Sequence, residues 1–574
     1  MLGFDPPRAT PDAPRSRIRL RCSRRLQTPP LMTPTPGSLR GRVLVALLFA
    51  STFAVAQGTP APGLRYFGAL NSTDTWIVDA LGNQLHTWPS ARLPGAGVDL
   101  APDGTLFRAI NYFPTIVTPG AGGAVQKVAW DGTVLWQYLV NGVGFTQHHD
   151  VEAMPNGNVL VIVWEERTQA QAIAAGRNPA LMSHGVFRPD YLLEIEPTGP
   201  TSGRVVWEWH VWDHLIQDFD NTKSNYGPVG SHPELVDINF PADATIDNDW
   251  NHSNGIDYDP IHDWVVISAR HQSEIWIIDH GTTIAEAAGH GGGRRGKGGD
   301  LLYRWGNPQA YRAGTAADQI LNLQHDPRFI PTGYPGAGHI TVFNNLYLPN
   351  QSAVHEITLP IDAAGNFLLG PGGRFGPGAP IWSYTSPVFF SSFISSAQRL
   401  SNGNTLICSG AQQWLFEVTP LGQIVWSQIV PGAGSLVFHA HYTERSLWSS
   451  QSTLSVSAGG TANLDLVLGS QYAGSTYLLL GSMSGTSPGL GYMGMTIPLN
   501  VDPFLVLTAT AINSPVLPNS LGFVPPGGVV HTSFVLPPGV LPPNLTMDFA
   551  CAVLDSASAA PLRMSNPVPI VLVQ

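Results

Sequence analysis

Short apolar runs separated by turn residues recur through the middle of the chain. One kind of segment opens on a Gly- or Asp-bearing turn and continues as a mostly apolar run: "APDGTLF", "MPNGNVLVIV", "DPIHDWVVIS", "IPTGYPGAGHITVF" and "LSNGNTLICSG". A second kind alternates apolar and polar positions, as a half-buried strand does: "YLLEIEP", "EIWIIDH", "AVHEITL" and "WLFEVTP". A third carries a tryptophan: "LGNQLHTW" (Trp88), "DGTVLWQY" (Trp136), "GRVVWEWH" (Trp207), "LLYRW" (Trp305), "PIWSY" (Trp382) and "GQIVWSQ" (Trp426).

With an opening segment ahead of each set, the repeating unit is four short strands. Such units repeated about an axis predict a β-propeller, because a lone sheet cannot bury both faces until neighbours stack on it. Six tryptophan strands predict six blades, each tryptophan giving an apolar contact to the next; one large β-sandwich is the alternative. After Trp448 the texture turns Ser/Thr/Gly/Pro-rich, with evenly spaced apolar strands. The expected fold is therefore all-β: a six-bladed β-propeller (57–445) followed by a small C-terminal β-sandwich (451–574).

Composition agrees with a turn-rich β protein. Of 574 residues, 61 are Gly and 50 Pro, while 12% are charged. The formal net charge is -11, yet residues 1–56 hold nine Arg and two Asp, so the remaining body is more acidic still. An acidic body disfavours nucleic acid and anionic membrane surfaces as partners. "SLRGRVLVALLFASTFAVAQG" (38–58) joins a basic flank, an apolar run and an Ala-x-Ala site, which predicts a signal peptide and an exported protein, periplasmic or secreted. The run is too short for a membrane span. Met32 is the expected start. Cys22 goes with the signal, and Cys408 and Cys551 fall in different expected domains, so no disulfide framework is expected.

In a propeller the inner strand opens each blade and lines the central channel. Across successive blades the corresponding stretches read "QHHDVEAMPNGN", "DWNHSNGIDYDP", "LQHDPRFIPTG" and "SSAQRLSNGN". His149, His252 and His325 occupy one register and are expected to meet in a funnel. A lone histidine beside aspartate is commonly a hydrogen-bonded turn residue, but packing alone does not readily repeat it in register. His148 faces the other way on an extended strand and reads as structural. Three histidines can also hold zinc. No local spacing is a metal-ligand motif, however, and no cofactor or metal is expected. "GGGRRGKGG" (291–299) departs from a phosphate loop, with Gly298 where Ser or Thr belongs and no strand before it, and reads as a mobile loop.

The stretches "HHDVEAMPNGNVLVIVWEE", "DWNHSNGIDYDPIHDWVVISARHQSEIWIIDH", "LLYRWGNPQAYRAG", "LQHDPRFIP" and "AQRLSNGNTLICSG" resemble the bacterial arylsulfotransferase family over roughly residues 65–430. The resemblance implies a six-bladed propeller that moves a sulfuryl group between phenolic sulfates and phenols through a sulfated histidine, without 3′-phosphoadenylyl sulfate. It implies His252 with Asn254, His325 and Arg270 as site residues, and His149 joins them by register. The family's sulfated histidine lies late in the propeller. Here the segment from Tyr384 to Trp426 has none; Gln398, Gln412 and Gln413 are polar residues available there, Gln398 being taken as substrate-binding.

Sulfuryl transfer is a loose displacement helped by positioning and charge stabilisation, and a neutral imidazole can carry the group covalently. The partners expected are a small phenolic sulfate and a phenol, with an extracellular polymer as a possible ligand of the C-terminal module. The alternatives are a non-catalytic ligand- or surface-binding propeller with a C-terminal binding sandwich, and a quinone-dependent oxidoreductase, disfavoured by six repeats and no Ca²⁺-ligand set.

Overall fold

The apolar and alternating runs form strands, laid down between Leu64 and Thr443 as successive antiparallel meanders. The structure is a computed structural model, and it describes residues 58–574 apart from residue 433. The expected N-terminal extension and signal peptide, with Cys22 and Met32, lie outside the described residues.

The second sheet runs from inner to outer edge as Pro94–Leu100, Leu106–Asn111, Gly123–Val128 and Val134–Leu139. The next four sheets repeat this order, the first of them with an added two-residue strand, Asn141–Gly142, paired to its inner strand. Their inner strands are Phe145–Ala153, Ser253–Asp259, His325–Phe329 and Ser396–Arg399. The first sheet draws on distant parts of the chain: Val437–Thr443 pairs antiparallel with Leu64–Ala69, followed by Thr75–Val78 and Gln84–Trp88. Each inner strand touches the next, and Val437–Thr443 touches Pro94–Leu100, so the six sheets close a ring. The protein is all-β and propeller-like.

The tryptophan repeat has a specific structural use. All six stand in outer strands, and each indole N–H donates to the following sheet, either in the stretch joining its third and outer strands or, for Trp136, at the first residue of its outer strand. The acceptors are Ala129 O for Trp88 (3.0 Å), Ser202 O for Trp136 (2.8 Å), Thr282 Oγ1 for Trp207 (3.0 Å) and Pro377 O for Trp305 (2.8 Å). Trp382 reaches Pro420 O at 2.8 Å, and Trp426 returns to Ala80 O of the first sheet at 2.5 Å. One residue type thus supplies apolar burial and a polar tie between neighbours, because an indole has a large apolar face and one N–H to satisfy.

Beyond Leu447 two further sheets share one hydrophobic core. Leu464, Leu466 and Phe534 face it from one side, and Leu479, Phe549, Cys551 and Ile570 from the other. Residues 57–574 form one compact unit. Trp448 stacks on Trp130 (centroids 4.4 Å apart), and Trp130 Nε1 donates to Asp465 Oδ2 at 2.8 Å. The C-terminal sheets are thus joined to the ring by a shared aromatic cluster. Cys408 and Cys551 are free and buried. No helix among the described residues is long and apolar enough to cross a membrane.

Candidate active site

A regular strand would send successive side chains to opposite faces, but four inner strands break that alternation at the same level. Their pairing registers shift between Pro94 and Val98, at His149–Asp150, between Ser253 and Ile256, and between His325 and Arg328. Positive φ values occur there at Ala96 (98°), His149 (53°), His252 (48°) and Asp326 (50°). Such bulges re-aim side chains, at a backbone cost of about 1–3 kcal/mol for each non-glycine residue so held. Here they help bring His149, His252, Arg270 and His325 onto one cavity of about 600 Å³. Leu70, Val117, Phe393, Ile394 and Phe438 supply apolar wall.

His252 is backed by a carboxylate. Its Nδ1–H donates to Asp249 Oδ2 at 2.5 Å, while Trp164 Nε1 holds Asp249 Oδ1 at 2.8 Å. Burial opposes ionisation of Asp249, but the charge and hydrogen bond of His252 hold its carboxyl well below the usual range. With Nδ1 protonated, neutral His252 keeps its lone pair on Nε2. Arg270 donates to His271 Nε2 at 3.0 Å, and His271 Nδ1–H donates to Asp249 O at 2.9 Å. Burial and then the charge of His252 lower His271 to about 4, so it is neutral at pH 7. Arg270 forms no ion pair among the described residues, and its buried Nε–H has no acceptor. A guanidinium beside a cavity with one unsatisfied N–H suits an anion.

The His149 ring lies 4.6 Å, centroid to centroid, from that of His252. Burial, then the charges of His252 and His148, hold its pKa well below the ordinary imidazole value. His148 faces away from the cavity and backs His149. It stacks on Trp164 at 3.9 Å, its Nδ1 is 2.8 Å from His149 Nδ1, and its Nε2 is 3.3 Å from buried Asp190. If His148 carries its hydrogen on Nε2, toward Asp190, then His149 Nδ1–H donates to it and His149 Nε2 is free. Gly120 closes over the ring: with φ +90°, a Cβ there would lie 2.2 Å from His149 Cε1.

The other expected residues are differently placed. His325 lines the cavity, yet its Nδ1–H donates to Asn345 Oδ1 (2.7 Å) and its Nε2 accepts from Ile394 N–H (3.1 Å). No ring nitrogen of His325 is left free. Asn254 follows the bulge into the sheet, where Nδ2 donates to Gln324 O at 3.1 Å, and does not border the cavity. Gln398 lies three residues along its strand from the level of the site. It borders a second cavity of about 590 Å³ formed by the other ends of the inner strands. Its Oε1 accepts from Tyr442 N–H at 2.6 Å.

The second cavity is lined in part by a charged belt absent from the sequence expectations. Arg328 sits 3.2 Å from Asp326, 3.3 Å from Asp257 and 3.8 Å from Glu152. His439 and His441, on the strand that closes the ring, are buried beside it. Burial pushes the Asp257 carboxyl up to about 7 against the pull of Arg328.

A family model described as arylsulfotransferase (ASST) matches residues 74–357. That stretch belongs to the arylsulfotransferase family. The arylsulfotransferase match contains His149, His252, Arg270 and His325 and stops short of Gln398 and the closing strand. No curated protein matches the chain significantly. Among solved structures, the chain is similar to a protein of unknown function from Bacteroides caccae. That protein is 12% identical, over 66% of this chain and 98% of the other, with a TM-score of 0.37. Virginiamycin B lyase from Staphylococcus aureus is 10% identical over 66% and 84%, with a TM-score of 0.32. Hydrazine synthase of Kuenenia stuttgartiensis is 13% identical over 53% and 70%, with a TM-score of 0.32.

Proposed function

We propose that the protein is an exported arylsulfotransferase that moves a sulfuryl group from a phenolic sulfate to a phenol, with His252 Nε2 as the covalent carrier. On this reading residues 57–445 are a six-bladed propeller carrying the site, and residues 451–574 are a sandwich module. The observation that carries the reading is the pairing, in one cavity, of Arg270, whose Nε–H has no acceptor, with an imidazole held by Asp249.

A bound aryl sulfate sets its anionic oxygens against Arg270 and its ring against Phe438 and Ile394. His252 Nε2 attacks sulfur, the S–O bond to the arene breaks, and a phenolate departs with the bonding pair. Asp249 stabilises the positive ring as the N–S bond forms. In the second half the acceptor phenol gives its proton to His149 Nε2 while its oxygen takes sulfur from His252. The resulting charge on His149 is shared through His148 with Asp190. His325, with both nitrogens engaged, shapes the wall. The N–S bond is made and broken once per cycle, and the proton taken by His149 passes to solvent or to a later phenolate.

Incubation with a nitrophenyl sulfate, a quench by denaturation at alkaline pH, where the N–S bond persists, and peptide mass spectrometry test this. A sulfuryl adduct on the peptide bearing His252, removed by added phenol, is the expected result. No nitrophenol release across a panel of aryl sulfates and acceptors, or full activity in His252→Ala, would sink the reading.

A further inference from the structure

The glycine-rich segment 291–299 is bracketed by His290 and Asp300, and both meet His214 from the turn after the outer strand of the third sheet. Asp300 Oδ1 lies 2.9 Å from His214 Nδ1 and 2.7 Å from His290 Nδ1. His214 is fully buried and stacks on Trp209, and its Nε2 is 2.8 Å from Ala287 O. A carbonyl oxygen only accepts, so His214 Nε2 carries a hydrogen. The Nδ1 of the neutral ring is then a lone pair aimed at a carboxylate oxygen, and the contact is repulsive unless a positive charge lies between them. A proton can supply that charge, and so can a metal ion.

We infer that His214, His290 and Asp300 form a site for a divalent transition-metal ion of the zinc class, which clamps the two ends of loop 291–299. Two imidazoles and one carboxylate, their donor atoms all within 4.8 Å of one another, are ligands of that class. The Ala287 carbonyl accepts from His214 Nε2–H and so fixes the tautomer that presents Nδ1 to an ion. A tetrahedral ion about 2.0–2.1 Å from each donor spaces the donors roughly 3.3 Å apart, so the Asp300 carboxylate and the exposed His290 ring must each shift outward by about half an ångström. His290 borders a polar cavity of about 460 Å³ with Trp212, Asp213 and His232, which leaves a fourth position to water or a small ligand. The basic side chains of the loop do not take the site: Arg294 pairs with Asp263 at 3.2 Å, and Arg295 donates to Ala364 O at 2.8 Å.

The same reasoning disfavours an ion at Asp326, His439 and His441. There Val98 N–H occupies His439 Nε2 at 2.9 Å, so the neutral ring holds its hydrogen on Nδ1, facing Asp150 at 3.6 Å. Arg328 already supplies positive charge nearby, 3.4 Å from His441 Nδ1.

Cobalt titration of the purified full chain in metal-free buffer tests the inference, because four-coordinate Co²⁺ absorbs in the visible. One Co²⁺ per chain with such bands is expected, displaced by Zn²⁺, lost in His290→Ala and retained in His252→Ala. Zn²⁺ should also slow trypsin cleavage after Arg294 and Lys297 by roughly fivefold or more in the unmodified chain, and not in His290→Ala. No saturable bands would overturn the site in favour of a buried imidazolium–carboxylate pair. Bands that survive His290→Ala, or vanish with His252→Ala, would place the ion elsewhere.

Discussion

Asp249 accepts the Nδ1–H of His252 at 2.5 Å while holding the Trp164 indole with its other oxygen. The residue that fixes the tautomer of the candidate nucleophile is therefore itself fixed. In Asp249→Asn, Trp164 retains an acceptor only if the amide NH₂ faces His252. That turns the ring to the Nε2–H tautomer and removes the lone pair from the cavity. Turnover should fall on the order of 10²–10⁴-fold with KM little changed, as steady-state kinetics with a nitrophenyl sulfate would show.

Gly120→Ala should act through position alone. A Cβ there meets the His149 ring at 2.2–2.5 Å, with φ at +90°. A drop of about tenfold or more in kcat, with the folded signal in near-ultraviolet dichroism retained, is the expected outcome. Unchanged kcat would show that His149 need not hold its present place.

Trp426→Phe keeps most of the aromatic burial but leaves Ala80 O without its indole donor. A loss of about 1–3 kcal/mol is expected from denaturant unfolding, because the carbonyl loses its partner across the joint between the sixth and first sheets. Trp382→Phe, at a more exposed outer position, should cost less.

The pH dependence of stability has a testable contribution at His86. Burial lowers its pKa to about 4, and its ring stacks 3.5 Å from Trp130. The unfolded chain binds this proton below the unfolded value of about 6.5 and the folded chain does not, so stability is lost as pH falls from about 6.5 toward 4. In His86→Phe this loss should vanish. The stability difference between variant and parent should move in the variant's favour by up to roughly 3 kcal/mol across that window. A pH-independent difference would mean that the ring is solvated.

What was legible in the sequence is what repeats. Trp88, Trp136, Trp207, Trp305, Trp382 and Trp426 mark outer strands because each makes the same contact, and His149, His252 and His325 share a level because their strands do. Asp249, Asp190 and Gly120 escaped notice because no spacing encodes a neighbour brought in by a bulge or from the adjoining sheet. His439 and His441 were missed for another reason. Their strand follows the last tryptophan strand and completes a sheet begun at Leu64, so nothing nearby in sequence marks it as an inner strand. Gln398 was misplaced because a strand crosses the sheet within a few residues, and it fell beyond the level of the site.

The pairing of Val437–Thr443 with Leu64–Ala69 makes completeness of the polypeptide a condition of the site. A chain emerging from its N-terminus keeps the edge of its earliest sheet unpaired, and so open to wrong partners, until the last inner strand has been made. That strand also carries Phe438, which walls the cavity. A product cut short before Val437 would thus have an unsealed ring and an unfinished cavity together.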